Sequence, residues 1–313
     1  MLHASVVVPS EVAEQAVHVL LGRPGVVNVL HRRDAAAAGG DLVEADVVRE
    51  AADGLVEALK PIVLGCGGTV TLVRLDTALG DPMEQAAADA PGHGDDAVVW
   101  EEVAERTSEE STLSAAFLVF LVIAMLISSV GLLTDSPVLV VGGMVLGPEF
   151  GPLAAIAVGL VDRRWRLTWR SVRALLVGFP VGVAVTAAAV ALLRVTAGVP
   201  EGYLDGHRPL TSFVSHPDVF SVVVALLAGV AGTLSLTSAK SSSLVGVFIS
   251  VTTIPAAANI GTALVTGRAD EALGATIQLV VNLVCIVLAA LATLLVQRRL
   301  SRGGRRTAPP RRA

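Results

Sequence analysis

The sequence has little charge for its length and almost no cysteine. Charged residues make up 16% of the 313 residues, against 53% hydrophobic residues and a mean hydropathy of +0.70. A soluble globular domain of this size carries more charge, so the composition favours a membrane protein. The two cysteines, Cys66 and Cys285, show neither metal-binding nor redox spacing. They therefore indicate no zinc site and no disulfide.

The sequence also lacks the motifs of the common enzyme classes. It has no phosphate-binding Walker loop, no cluster of metal ligands and no nucleophile placed beside a general base. We therefore expect no enzymatic activity, no cofactor and no metal. The Arg-rich residues 298–313 are interpreted as a cytoplasmic tail that fixes topology, and not as a nucleic-acid site.

The start of the chain lacks the basic segment and the long apolar run of a secretory signal. The charges are unevenly divided. Residues 1–111 hold 20 acidic and 7 basic side chains, whereas residues 112–313 hold 8 acidic and 16 basic ones. This asymmetry predicts two differently constructed halves, of which the front half stays in the cytoplasm.

Residues 1–80 have the pattern of a small α/β domain, in the order strand, helix, strand, strand, helix, strand. Ser10 offers a start for the first helix and Gly22 an end, while Pro61 is expected to kink or end the second helix. The order predicts a ferredoxin-like βαββαβ cytoplasmic domain, a plan that small ligand-sensing modules use. Such a domain either binds a ligand or only stabilises and assembles the protein.

Residues 81–111 are predicted to connect this domain to the membrane. The stretch 77–97 is rich in Ala, Asp, Gly and Pro, which is typical of a linker. The acidic stretch from Trp100 to Ser111 predicts a helix that leads into the membrane.

Residues 112–297 contain six apolar runs that are long enough to cross a bilayer, for which about 20 residues are needed. The sequence therefore predicts a six-span α-helical transmembrane domain. The predicted spans are Leu113–Leu133, Pro137–Val161, Ser171–Ala197, Val219–Ser238, Ser243–Thr266 and Leu273–Gln297.

Arginines set the predicted orientation. Five arginines follow the second span, between Arg163 and Arg173, and seven follow the sixth, between Arg298 and Arg312. The positive-inside rule places both segments, and with them both termini, on the cytoplasmic side of the cell's inner (plasma) membrane. A rival interpretation treats the second and fifth segments as re-entrant hairpins and leaves four spans. It would put the two Arg-rich segments on opposite sides, so six spans are preferred.

The second span is interrupted by Gly147, Pro148, Glu149, Gly151 and Pro152. Each proline removes a backbone donor and clashes with the preceding turn, so the helix is predicted to break. The carbonyl groups that this break frees must be buried in protein or line a wet cavity. The break lies near the middle of the run, which is the bilayer midplane if the helix is upright.

Glu149 is the only charged residue inside that run. A charge at the bilayer centre costs about 2.5–3.5 kcal/mol on insertion scales, which favours a functional carboxyl group. Burial favours its protonated form, so Glu149 is a candidate proton or ion site. The alternative is a structural role, in which Glu149 caps the half-helix that follows the break.

The fifth span also has a proline in its middle, Pro255, followed by small residues and by Asn259. The spans divide into two triplets of opposite orientation, which predicts a 3+3 inverted repeat. In transporters of this kind, paired broken helices form the substrate or ion site. Asn259 is a candidate contact there, although interhelical hydrogen bonding is the commoner use of such a side chain. Lys240 either closes the inner mouth or binds an anion, or else is a positive-inside anchor.

Two stretches are similar to a known family. The residues from Thr112 to Val161, above all Ser136–Leu153, resemble the uncharacterised membrane family called domain of unknown function 389, and Ser243–Pro255 resembles its second signature. The family commonly has Leu and Met where this chain has Glu149 and Phe150, so a role for Glu149 does not extend to the family. It also often has a double proline where this chain has Pro255 and Ala256. The resemblance implies a soluble domain joined to a multi-span core, and no established substrate.

Two functions fit these features. The first is a transporter or channel-like permease for a small solute or ion, proton-coupled through Glu149 and regulated by the N-terminal domain. The second is a non-transporting membrane sensor or scaffold whose soluble domain binds a ligand or partner. Small residues line several spans, so a homo-oligomer in the lipid bilayer is expected.

Overall fold

The computed structural model describes residues 1–37, 39–75, 77–78, 80–82, 85–86, 98–205, 208–215, 218–238 and 253–305. Most of the predicted linker, the first half of the predicted fifth span, Lys240 and the end of the tail lie outside these residues. The chain divides into two compact units. The first includes Met1–Glu102, and the second includes most of the chain from Val103 to Arg298.

The first unit has the predicted βαββαβ order, and its four strands form one antiparallel sheet in the order β2-β3-β1-β4. This is the element order of the ferredoxin-like plan. The elements are β1 (Leu2–Val8), α1 (Ser10–Leu21), β2 (Val26–Arg32), β3 (Asp41–Val47), α2 (Arg49–Gly65) and β4 (Thr69–Arg74).

Local patterns explain these elements. Burial alternates along β1 and along β3, as expected for strands with one face on a core. Helix α1 begins at Ser10 and is capped by Gly22, as predicted. Pro61 does not end α2, because the helix continues to Gly65. Leu59 and Val63, buried on either side of Pro61, hold this part of α2 in the core.

From Trp100 onwards the described chain is helical between short connections. The helices are α3 (Trp100–Glu110), α4 (Ala115–Leu133), α5 (Pro137–Leu146), α6 (Phe150–Val161), α7 (Trp165–Thr196), α8 (Glu201–Leu204), α9 (Val219–Thr237), α10 (Ile254–Thr266) and α11 (Ala269–Arg305), with a 3-10 turn at Ser212–Ser215.

Four of the described helices, α4, α7, α9 and α11, are long and apolar enough to cross a membrane. The pair α5 and α6 would be a fifth span if the two helices count as one. The predicted fifth segment, Ser243–Thr266, is described only in its second half, where α10 has 13 residues. Four or five candidate spans are therefore present, and the count of six stays a prediction.

The second unit exposes apolar side chains on its outside. Phe120, Leu176, Phe220 and Leu288 are each at least half exposed, whereas the polar residues Ser128, Asn259 and Asn282 are fully buried. Water-soluble domains rarely expose apolar patches of such extent. The surface is suited to contact with lipid, which agrees with the composition.

Loops that were predicted to share a side of the membrane are in contact. At one end of the bundle, Arg298 donates to the carboxylate of Asp162 at 2.9 Å. At the other end, Thr211 donates to Asp135 at 2.8 Å, and Arg208 is hydrogen-bonded to Glu271. The start of α5, next to Asp135, and the end of α6, next to Asp162, thus lie near different loops.

Close backbone packing at one glycine of α10 can be tested by substitution. A Cβ atom on Gly261 would lie 2.8 Å from the carbonyl oxygen of Val183 in α7, closer than real contacts allow. We expect Gly261→Ala to destabilise the protein by about 1–3 kcal/mol, because α10 must move away from α7. Thermal unfolding in detergent micelles measures this. Gly142→Ala in α5 is the control, since a Cβ atom there meets open space; equal melting temperatures for the two variants would contradict the packing.

Candidate functional site

The predicted break in the second span is present. Helix α5 ends at Leu146, helix α6 starts at Phe150, and the two axes differ by 50°. Pro148 lies in the connection, and Pro152 lies in the first turn of α6, where a missing N–H group costs no hydrogen bond. The carbonyl oxygen of Glu149 accepts the first bond of α6, from the Leu153 amide at 3.2 Å. Glu149 is therefore the residue at the N-terminus of a new helix.

Helix α10 has a similar start. Thr253 precedes it, Pro255 occupies its first turn, and the Thr253 carbonyl oxygen accepts from the Ala257 amide at 3.0 Å. The residues that follow are buried on every side of the helix. Small side chains permit this burial, because they let α4 and α7 approach α10 closely.

The two helix starts meet in the interior. The Thr253 hydroxyl donates a 2.6 Å hydrogen bond to Oε1 of Glu149, and both residues are fully buried. These residues are 104 positions apart in sequence. The N-terminus of a helix carries a partial positive charge of roughly half an elementary charge, so α6 and α10 favour a negative group at this point. The N-terminal ends of α6 and α10 therefore share one buried carboxyl group.

The break lies beside the N-terminal end of α4 and not beside its middle. Gly143 of α5 packs against Ala124 and Ser128 of α4, and Gly151 of α6 packs against Glu110. An upright second span would have placed the break at mid-depth. Helix α5 has only ten residues, about 15 Å, and α6 turns away from it by 50°. The break therefore does not lie at the predicted mid-depth.

A cavity of about 350 Å³ adjoins the break. Gly147, Pro148 and Gly151 line it, so the residues on both sides of Glu149 reach the cavity while the carboxyl group stays buried behind them. The rest of the lining combines acidic, hydroxyl and aromatic side chains from α3, α4, α6 and the α3–α4 connection: Glu109, Glu110, Thr112, Ser114, Phe117, Phe120 and Phe150.

Asn259 belongs to a different group of residues. Its Oδ1 atom accepts from the hydroxyl of Tyr203 at 3.1 Å, and both side chains are buried. Its Nδ2 atom is buried and has no hydrogen-bond partner among the described residues. Burial raises the pKa of Tyr203 to about 12, so its hydroxyl remains a donor at neutral pH.

Two arginines hold Tyr203 in place. The Arg208 guanidinium lies 4.2 Å from the centroid of the tyrosine ring, a cation–π contact. Arg268 donates to the carbonyl oxygens of Tyr203 and Leu204 at 2.7 and 2.8 Å. Glu271 forms ion pairs with both arginines. This group, called the Tyr203 cluster below, lies at the end of the bundle opposite to Arg298.

The structure brings together only some of the residues that the sequence singled out. Gly147, Pro148, Glu149, Gly151 and Pro152 form one site with the start of α10, where Pro255 lies. Asn259 is not among these residues, because its side chain is hydrogen-bonded to Tyr203 and belongs to the Tyr203 cluster. Lys240 lies outside the described residues.

Sequence reasoning missed Thr253, Tyr203 and Arg208. A signal existed for Thr253, because a hydroxyl residue two positions before a proline is typical of a helix start. Tyr203 is the single tyrosine of the chain, and Arg208 is one of two arginines in loops that are otherwise acidic. Neither feature indicates which residue each one contacts.

The first unit carries two histidine–carboxylate pairs. The hydrogen bond from His3 to Asp46, at 2.8 Å, raises the pKa of His3 above its usual value. Hydrogen bonds from Ser10 and His31, both at 2.6 Å, hold the pKa of Asp41 below its usual value. These pairs link strands and helix starts within the unit.

Together, the apolar helices and the exposed apolar surface indicate a polytopic helical membrane protein whose chain begins with a small α/β unit. Residues 144–288 match the model of the family described as a domain of unknown function, DUF389, which confirms the predicted resemblance for this part of the chain. An uncharacterized protein of Methanocaldococcus jannaschii is 25% identical over 194 residues. The match covers 62% of this chain and 58% of the relative. No solved structure matches the chain.

The contribution of the Thr253–Glu149 hydrogen bond to the stability of the protein can be measured. Thr253→Val keeps the shape of the side chain but removes the hydroxyl donor to Glu149. We expect it to lower the free energy of unfolding by about 1–3 kcal/mol, because a buried polar group loses its partner. Thr253→Ser keeps the donor and is the matched control. If the valine variant melts like the wild type in detergent, the hydrogen bond does not stabilise the fold.

Proposed function

We propose that this protein is a membrane permease for a small solute or ion, in which Glu149 is the titrating group of the transport site. The observation that carries the proposal is the meeting of two helix N-termini at one buried carboxyl group, through Thr253 and Glu149. Half-helix ends that converge inside a bundle are the usual construction of substrate or ion sites in secondary transporters.

A purely structural role explains this arrangement less well. A membrane anchor needs no carboxyl group in its interior, because an unbroken apolar helix spans the bilayer at lower cost. It also needs no break, since freed backbone groups must then be buried in protein or line a wet cavity. The cavity beside Gly147 and Pro148 supplies such an environment.

The proposal includes six spans in an inverted repeat. The α5 and α6 pair starts among loops that contact Asp135 and ends beside Arg298, which favours a broken span over a re-entrant hairpin. In the second triplet, α10 is the counterpart of α6, with Thr253 in the position of Glu149. Both Arg-rich segments then lie in the cytoplasm, together with the N-terminal unit, which regulates the permease.

The two ends of the bundle suggest how access alternates. At the predicted external end, Tyr203 fills the space above Asn259, and Arg208 and Arg268 hold it there. At the predicted cytoplasmic end, the cavity reaches the residues that flank Glu149. In this state the site is closed to the outside, and Glu149 exchanges its proton with the cytoplasm when the break region moves. Release of Tyr203 from Asn259 opens the other side.

Transport is tested in proteoliposomes that contain a pH-sensitive dye. Gradients of inorganic cations, inorganic anions and small organic anions are screened. We expect one class to move protons with it, and Glu149→Gln to lower that flux by ~100-fold or more, because the amide cannot carry a proton. Glu105→Gln, on an exposed face of α3, is the control and keeps the flux.

A well-folded protein without flux under any gradient would contradict the permease. That result would favour the alternative function, a non-transporting sensor or scaffold. Flux that persists in Glu149→Gln would leave a permease but remove Glu149 from its mechanism.

The closed external end is tested by thiol labelling. In a Cys66→Ser/Cys285→Ser background, Asn259→Cys is expected to resist a membrane-impermeant maleimide added outside, because Tyr203 covers position 259. Adding Tyr203→Ala removes the ring, and labelling should become faster. Tyr203→Phe keeps the ring and is the matched control. Rapid labelling of Asn259→Cys with Tyr203 in place would contradict the closed end.

A further inference from the structure

The first turns of α7 expose two indole rings. Trp165 and Trp169 are 66% and 69% exposed, and they are two of the three tryptophans in the chain. Their spacing of four residues places them on one face of the helix. Leu176, seven residues after Trp169, continues this face and is 65% exposed. The face therefore runs from aromatic side chains into the apolar surface of the bundle.

A basic stripe lies next to the aromatic face. Arg166, Arg170 and Arg173 follow helical spacing, and all three are exposed. Arg170 donates to the hydroxyl groups of Ser108 and Ser111, which leaves its charge uncompensated. Among the described residues, Arg166 and Arg173 form no ion pair with an acidic side chain.

Asp162, the acidic residue nearest to this stripe in sequence, is already paired. Asp162, at the end of α6, accepts from Arg298 at 2.9 Å. The opposite side of α7 is turned inward, where Ser171 and Ala174 are buried in the bundle. The two exposed faces, one aromatic and one basic, are thus left for a partner outside the unit.

We propose that the aromatic and basic faces of α7 bind the headgroups of anionic phospholipids at the end of the bundle where Arg298 lies. Indole rings favour the boundary between headgroups and acyl chains, and arginine forms bidentate hydrogen bonds with phosphate oxygens. Charge complementarity requires a negative partner. Continuity with the exposed Leu176 face selects a lipid over an acidic protein, because only a lipid carries an apolar chain along the same surface.

This surface is separate from the permease site and does not depend on transport. It gives the Arg-rich segment between Arg163 and Arg173 a binding role in addition to its predicted role in topology. The negative surface potential of a leaflet that contains such lipids attracts the same arginines.

The test uses the full chain carrying Trp100→Phe, so that fluorescence reports Trp165 and Trp169 alone. The protein is reconstituted into vesicles that contain brominated phosphatidylglycerol or brominated phosphatidylcholine at the same mole fraction. Bromine quenches an indole that it contacts. We expect stronger quenching by phosphatidylglycerol, with a relative binding constant that falls ~5-fold for each arginine removed and also falls at high salt.

Arg166→Gln/Arg173→Gln should lose most of this preference, while Arg166→Lys/Arg173→Lys retains part of it. Arg33→Gln removes an exposed arginine of the first unit and should change nothing. Unchanged emission spectra in phosphatidylcholine show that a variant is folded. Equal quenching by the two lipids in the wild type, or an undiminished preference in the double glutamine variant, would overturn the proposal.

Discussion

Backbone groups that lose their helical partners inside an apolar bundle must find others, and the centre of this protein is arranged around that requirement. The break after α5 frees carbonyl and amide groups in a region where lipid supplies no hydrogen bonds. Helix α10 begins beside the break. Thr253, which immediately precedes this helix, donates a hydrogen bond to Glu149. Small residues in α10 allow it to pack closely, and Gly143 and Gly151 let α5 and α6 pack against Ser128 and Glu110. The break consequently lies beside the N-terminal end of α4, where the Glu149 side chain is buried while Gly147, Pro148 and Phe150 are partly exposed.

The same requirement explains why the carboxyl group is tolerated. An isolated charge in an apolar interior is costly, but two helix N-termini and a hydroxyl donor all favour negative charge at Glu149. A cavity of about 350 Å³ adjoins the residues that flank this carboxyl group.

The two ends of the bundle differ in how they handle charge. At the end near Arg298, arginines outnumber acids and several of them face outward, where phosphate groups can meet them. At the other end, Arg208 and Arg268 share Glu271 and are turned onto Tyr203, so their charges serve to hold one aromatic side chain in the interior. The arginines at the first end are exposed to their surroundings, whereas those at the second are engaged with Tyr203 and Glu271.

The sequence alone determined the local features of this protein. Ser10 and Gly22 bound α1, alternating burial follows from the pattern of β1, and Pro148 places the break in the second apolar segment, since each effect depends on neighbours within a few residues. The loops that the arginine distribution predicts to share a side are in contact, while their orientation in the membrane stays a prediction. Pro61 does not end α2, which was one of its two predicted effects, since Leu59 and Val63 pack into the core on either side of it. Only the tertiary structure decided that Glu149 meets Thr253, that Asn259 is bonded to Tyr203 instead, and that the break lies beside the start of α4. The contacts of Glu149 with Thr253 and of Tyr203 with Asn259 join residues that are 104 and 56 positions apart, and no periodicity or spacing in the chain encodes which distant surfaces fit against each other.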